Sequence, residues 1–374
     1  LAGLLPGIHP NLVASLIVAL PFLPGREMSF FLLATAIANA FTSSIPAIFV
    51  GAPDAENALG LQPFHRYLHK GRGHEAVLMT LLGSVSAAIL TLMMIPVIAA
   101  ILQEYRSIQS VIPYALMIIA GSFIVQEKKK KIALIVFLLS GAIGYVALNS
   151  SMNEPLLPLF SGLFGLPALC DALNAKSTNP PQQVTQPKVK ARELLNISAK
   201  AQGVGIIFSI LPALGPTQAT AIVARKNTKM KHFIIMLGAL STISVVASAI
   251  TFLEIGKSRD GIVKAIETIS HKKAPFSEGE LIATILITLF PATAAAIGSS
   301  RMMKGAVNRI PHKKVTAIVL FTIGGLIVVL SGWQGTLLAA AATMIGFVPI
   351  RRGIRRSHLM GCLMIPTIIW YLKN

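Results

Sequence analysis

The chain has 374 residues, of which 54% are hydrophobic and only 13% charged, with a mean hydropathy of +0.71. A soluble domain carries about 25% charge, so this chain has too little polar surface to cover itself in water. The net charge of +19 sits in short clusters between apolar runs rather than on one amphipathic face, which reads as cytoplasmic loop anchoring and not as a nucleic-acid surface.

Apolar runs of membrane-spanning length recur along the chain, giving an all-α polytopic membrane protein with roughly ten to twelve membrane segments. A β-barrel would show alternating segments of about ten residues, and these are absent. The chain begins at Leu1, already inside a motif, so a little N-terminal sequence is expected to precede it. The first apolar stretch lacks the basic n-region of a cleavable signal peptide.

Residues 1–25 hold an apolar segment broken by LLPGIHPN, with Pro6, Gly7, His9, Pro10 and Asn11. The run 28–50 carries a polar stripe: Asn39, Thr42 and Ser43 lie three and four residues apart, share one helix face and are expected to look into protein. Residues 51–73 form an amphipathic, interfacial loop with Asp54, Glu56, His65, Arg66, His69, Lys70 and Arg72. Spans follow at 76–102, 108–126 and 132–149, and the short run 155–170, interrupted by Pro158, Gly162, Gly165 and Pro167, is expected to be a half helix. From 171 to about 197 the composition changes to a polar, proline-rich linker that separates a first transmembrane repeat, 1–170, from a second, 198–374.

The second part replays the first. ILPALGPT at 210–217 returns the broken motif, with Pro212 matching Pro6 and Pro216 matching Pro10 at a spacing of 206 residues (212 − 6 and 216 − 10). A span at 233–253 follows with Ser241, Thr242 and Ser244, then an interfacial loop at 255–277 and spans at 279–300, 314–331, 333–350 and 358–372. Regular order with weak identity is the mark of a duplicated transporter fold. The charge map adds a direction. Basic residues are dense at 65–72, 128–131, 188–200, 225–232, 301–314 and 351–356 and sparse at 103–107, 149–154 and 331–335, so the dense loops are cytoplasmic. That makes the segment between 200 and 225 re-entrant and the two repeats inverted. The basic residues of 257–273 then fall outside, against the rule.

Two prolines four residues apart prevent a continuous helix, and backbone groups freed in hydrocarbon survive only where protein or a wet cavity supplies partners. Gly7 and Gly215 permit a tight turn, and the half helix that follows aims bare N–H groups at the gap, an arrangement that attracts anions. His9, Asn11, Thr217 and Gln218 stand in or just after the breaks, as caps or as direct ligands. His9 is the clearest titratable candidate there, simply hydrogen-bonded or a proton relay. Proline kinks that only shape packing are the plain alternative for the breaks, and interhelical hydrogen bonding the plain alternative for Asn39, Thr42, Ser43 and Thr242. Cys170 and Cys362 read as buried, inert thiols, and no catalytic or metal motif occurs, so neither an enzyme nor a cofactor is expected.

LLPGIHPN, its partner ILPALGPT and the loop ending LHKGRGHEAV resemble the large membrane subunit of the tripartite tricarboxylate transporters, in particular its shorter prokaryotic relatives. The resemblance implies a secondary permease of the prokaryotic plasma membrane, moving carboxylate anions such as citrate on a sodium or proton gradient between two inverted halves whose motifs line the site. It also implies a small membrane subunit and an extracytoplasmic binding protein as partners, beside membrane lipid and the small organic anion; a homodimer is allowed. A carrier or flippase for a phosphorylated lipid is the alternative, since helix termini bind phosphate as readily as carboxylate, and a membrane scaffold or assembly factor comes third.

Overall fold

The computed structural model describes residues 25–49, 61–174, 180–210, 215–223, 228–258, 260–270, 274–309 and 312–373, and their regular structure is helical throughout. Six of these helices are long and apolar enough to cross a membrane. Residues 1–24 and 211–214 lie outside the described residues, so Pro6, Gly7, His9, Pro10, Asn11 and Pro212 do too, as do Asp54 and Glu56.

In chain order, α1 (Gly25–Thr42) and α2 (Ser44–Phe49) are followed by the short amphipathic α3 (Leu61–Leu68), which buries Phe64 and Leu68. The apolar run expected as one span at 76–102 is two helices, α4 (Gly73–Met93) and α5 (Ile95–Gln103). Pro96 sits in the first turn of α5, where it has no amide to donate to the turn before it, and the chain divides there. Then come α6 (Tyr105–Val125) and α7 (Lys130–Leu148).

The run expected as a half helix is a continuous helix too short to count among the full spans: α8 (Leu156–Phe160), one wide turn at Ser161–Gly165, and α9 (Leu166–Asn174). Pro167 cannot donate to the turn before it, and the wide turn absorbs that loss without ending the helix. Residues 180–190 are extended. The chain continues through α10 (Ala191–Ile210), α11 (Pro216–Val223), α12 (Met230–Ile255), α13 (Gly261–Ile269) and α14 (Glu278–Arg309). Next is α15 (His312–Arg352), which is two helices meeting at Gly332, where φ 64° and ψ −162° are open only to glycine. A tight turn and α16 (Gly361–Lys373) close the chain.

Two hydrophobic cores result, and each draws on both parts of the chain. The first joins α1 to α5 with α9, α10 to α14 and the first part of α15; the second joins α6, α7 and the wide turn at 161–165 with the second part of α15 and α16, and α8 contributes to both. Helices in lipid gain little from hydrophobicity and associate through close packing of small residues. A Cβ added to Gly83 would lie 2.0 Å from the Ile235 carbonyl and one added to Gly238 would lie 2.2 Å from that of Thr80, so α4 and α12 cross backbone on backbone. Gly144 and Gly361 do the same for α7 and α16, against Cys362 and Phe137.

Most charge-dense loops meet one another on one face, while α12 carries the charged stretch after Ile255 to the other. On one face, the Gln183 N–H donates to Gly71 O, Lys231 and His232 bind Glu193, and His74 at the start of α4 bonds Ser300 near the end of α14 at 2.8 Å. On the same face of the second core, Lys129 donates to Arg352 O and Arg355 to Gln126 O. At the far end Ser331 donates to Glu154 O, and Arg26 reaches Glu280 at 2.6 Å. α1 and α12 begin 205 residues apart, as do α4 and α14 (230 − 25 and 278 − 73).

Candidate functional site

α4, α10 and α12 run side by side from the basic face. Ser86 meets Ser198 at 2.7 Å and, further along both helices, Thr91 meets Gln202 at 3.0 Å, so α4 and α10 share a direction. Glu193 meets Lys231 near the start of α10 and α12, and Gly205 packs against Ile243 twelve positions further along each (205 − 193 and 243 − 231). Between the three helices lies a seam of polar side chains, with Thr80, Ser84, Thr91, Ser198 and Gln202 buried and Ser86 half-buried. It leads towards the end of α10 at Ile210, after which come Pro212 and Gly215 and the start of α11.

Most of the seam is hydrogen-bonded. Thr80 donates to Val77 O, Ser84 to Gly238 O and Thr91 to Ala87 O. Two groups are not: Thr242 Oγ1 and the Gln202 Nε2 are buried with no partner among the described residues. Gln202 is 5% exposed and Thr242 1%. The Thr91 hydroxyl has one proton, committed to Ala87 O at 2.7 Å, so turning the Gln202 amide would let its NH2 donate to Thr91 and leave its oxygen free. Either orientation leaves one amide atom unpartnered. Each such group costs about 1–3 kcal/mol in a buried site, and the two occur within one layer, since Thr242 precedes the residue that packs on Gly205, one turn from Gln202.

Of the residues singled out in the sequence, Asn39, Thr42 and Ser43 are all buried inside the first core. Thr42 donates to Ala38 O in its own helix, Asn39 O accepts from the Ser43 amide, and the adjoining Ser44 meets Thr80 of α4 at 3.3 Å. Gly215 is outside a helix, and Pro216, Thr217 and Gln218 open α11, with Pro216 in the first turn that proline tolerates. Of the thiols, Cys362 is buried and Cys170 is only half-buried, a correction to the expectation for Cys170. Among the described residues no group of His, Cys, Asp or Glu could hold a metal ion.

Gln202 was missed in the sequence. Its signal was there, a lone amide inside the apolar stretch AQGVGIIFSI, where polar side chains are expensive unless they have a partner or a task.

The polar loops at the basic face are also built, not loose. Gln182 accepts from the Gly73 amide at 3.1 Å and donates to Leu68 O at 2.9 Å, pinning the extended residues 180–190 over the turn between α3 and α4. Glu193 accepts from Lys231 and His232, which hold its carboxyl well below the usual carboxylate range, at about 2. This clamp ties the start of α10 to the start of α12.

A family model described as the tripartite tricarboxylate transporter TctA family matches residues 1–361. An uncharacterized protein of Methanocaldococcus jannaschii is 27% identical over 390 aligned positions, covering 100% of this chain and 96% of that protein. No solved structure matches.

Proposed function

The chain belongs to the tripartite tricarboxylate transporter TctA family, and from that premise we propose that it is a secondary active transporter for a di- or tricarboxylate, coupled to a sodium or proton gradient. It is a multi-pass membrane protein, and its six long apolar helices agree with that. The reading rests on one observation above all: a buried Gln202 amide and a buried Thr242 hydroxyl stand without partners in the layer about two turns before α10 ends. A membrane protein keeps such groups where a ligand completes them. Depending on its orientation, the amide offers a carboxylate two N–H donors or a cation one carbonyl oxygen.

Two inverted repeats are the second part of the proposal. The meeting of most charge-dense loops on one face supports it. So does the pairing of helix ends, because α1 and α14 begin together through Arg26 and Glu280, whereas α4 and α12 begin at the basic face. α1 and α12, and α4 and α14, thus stand as matched helices of opposite direction. The segment from α10 to α11 is then re-entrant from the cytoplasmic side, with the site between it and LLPGIHPN, and alternating access opens that site to each face in turn. Pro6, Gly7, His9, Pro10, Asn11, Gly215, Pro216, Thr217 and Gln218 belong to this proposed site, as does the stripe of Asn39, Thr42 and Ser43. The family's tripartite name supports a small membrane subunit and an extracytoplasmic binding protein as partners.

Proteoliposomes holding the chain, alone and with candidate partner subunits, and loaded to give an inward sodium or proton gradient, test the proposal. Gradient-dependent accumulation of labelled citrate or a related carboxylate is expected, and its loss in Thr242→Val. Absence of uptake for every di- and tricarboxylate under either gradient, with and without partner subunits, would overturn it.

A further inference from the structure

Two clefts open side by side on the basic face, away from the seam. One, of about 570 Å³, is lined by Tyr67, Arg72, Glu75, Thr185, Lys188 and Lys231; the other, of about 380 Å³, by Lys190, Arg192, Glu193, Lys200 and His232. They adjoin across the Glu193–Lys231 pair and the neighbouring residues 189 and 190. Three helices start here and run away from it: α4 at Gly73, α10 at Ala191 and α12 at Met230. Parallel helices add their positive ends at a shared N-terminal face, and their first amides have no partner within the helix.

The negative charge present does not balance this. Glu75 is taken by Arg72 in a two-point pair, and Glu193 by Lys231 and His232. Lys188, Lys190, Arg192 and Lys200 have no carboxylate partner among the described residues. Thr185 Oγ1, on the wall of the larger cleft, is shielded from solvent and has no hydrogen-bond partner. The span that begins at Gly73 starts at this level, so the clefts lie at the depth of lipid headgroups.

We propose that the paired clefts bind a phosphate group, at a site separate from the transport seam, held chiefly by Lys188, Lys190 and the Arg72 guanidinium. A phosphate offers several acceptor oxygens and up to two negative charges, which suits cations converging from two chain segments. The occupant bridges residues 185–190 and the start of α4, and so ties the linker to the first part of the chain. Its phosphate comes from an anionic phospholipid headgroup or from a soluble anion.

The test uses the full chain. Its thermal unfolding midpoint is followed in neutral detergent with sodium phosphate against sodium chloride at matched ionic strength, and in nanodiscs of phosphatidylcholine with and without phosphatidylglycerol. A ligand that binds only the folded state raises the midpoint in proportion to the logarithm of its concentration. A rise with phosphate in detergent identifies a soluble source, and a rise confined to phosphatidylglycerol discs a headgroup; both support the site. Lys188→Gln with Lys190→Gln is expected to weaken the response about tenfold in apparent affinity, the size of one charge-assisted hydrogen bond. Lys130→Gln with Lys131→Gln, in a basic loop of the second core, is expected to leave it unchanged. No response to either phosphate source, or an equal loss in both double variants, overturns the proposal. Thr242→Val separates the two sites: it should abolish uptake and keep the phosphate response, and loss of both would show one site instead of two.

Discussion

The two cores are packed by the same device and filled differently. In both, glycine lets helix backbones touch, Gly83 and Gly238 between α4 and α12, Gly144 and Gly361 between α7 and α16. The first core then carries a polar seam through its interior, with Thr91 and Gln202 bonded across helices and two buried groups left open. In the second, the buried polar groups away from the loops are few, chiefly Ser140, which bonds back to Phe137 O. Close packing is therefore what holds a membrane helix bundle together, and buried polarity beyond it marks where the bundle has work to do.

The largest expected effect bears on what the cores share. Gly83→Leu forces side-chain atoms into the Ile235 carbonyl and should cost about 3 kcal/mol, the upper end of overpacking costs. Gly144→Leu should do the same in the second core. Loss of a monodisperse peak in size-exclusion chromatography checks both; a variant that keeps wild-type stability would show that the backbone contact is not structural.

The next effect sets the cores apart. Gln202→Leu and Thr242→Val should lower carboxylate uptake about tenfold or more, the loss of one hydrogen bond to a charged group. They should leave stability unchanged or raise it by about 1 kcal/mol, since each removes a buried group without a partner. If the unfolding midpoint falls instead, these side chains are structural and the contrast between the cores fails. Gln182→Ala leaves the Gly73 amide unpaired and should cost about 1–3 kcal/mol, read as faster hydrogen exchange at residues 180–190.

In the second core the polar chemistry is at the basic end, where it makes stability depend on pH. Burial raises the Glu127 carboxyl, but the Arg355 amide, the His358 ring and the Lys128 amide outweigh it and hold it below its usual 4.5. Burial also lowers His358 below its usual 6.5, against the pull of Glu127. Both shifts make the unfolded chain bind more protons than the folded one, so stability falls as pH drops below 6.5 and falls further as Glu127 protonates below 4.5. In His358→Gln the upper part of that fall should vanish from midpoints recorded between pH 7 and 4. The smallest effect belongs to Arg26 and Glu280, an exposed and solvent-screened pair, whose loss in Arg26→Gln should barely register in a denaturant titration.

The polar stripe of Asn39, Thr42 and Ser43 was legible as a buried face because helical periodicity fixes which residues stand together. Most of the basic loops were legible as one face for a different reason, since charge cannot cross the bilayer cheaply. The split at Met94 was missed because hydropathy does not register a proline in an apolar run. The helix at 156–174 was legible as a short one, but not that a single wide turn absorbs Pro167 and that Gly162 admits Ala339.

By itself the sequence determined the class, most of the helical runs though not how many are long enough to span, and the repeated Pro-Gly motif, all of which depend on local composition against a bilayer of fixed thickness. Only the tertiary structure decided that each core takes helices from both parts of the chain, that α4 and α12 meet backbone to backbone, and that Gln202 and Thr242 are left without partners. Those facts depend on which helices become neighbours, and that choice rests on shape and hydrogen bonding between residues far apart in the chain, which periodicity and charge do not encode.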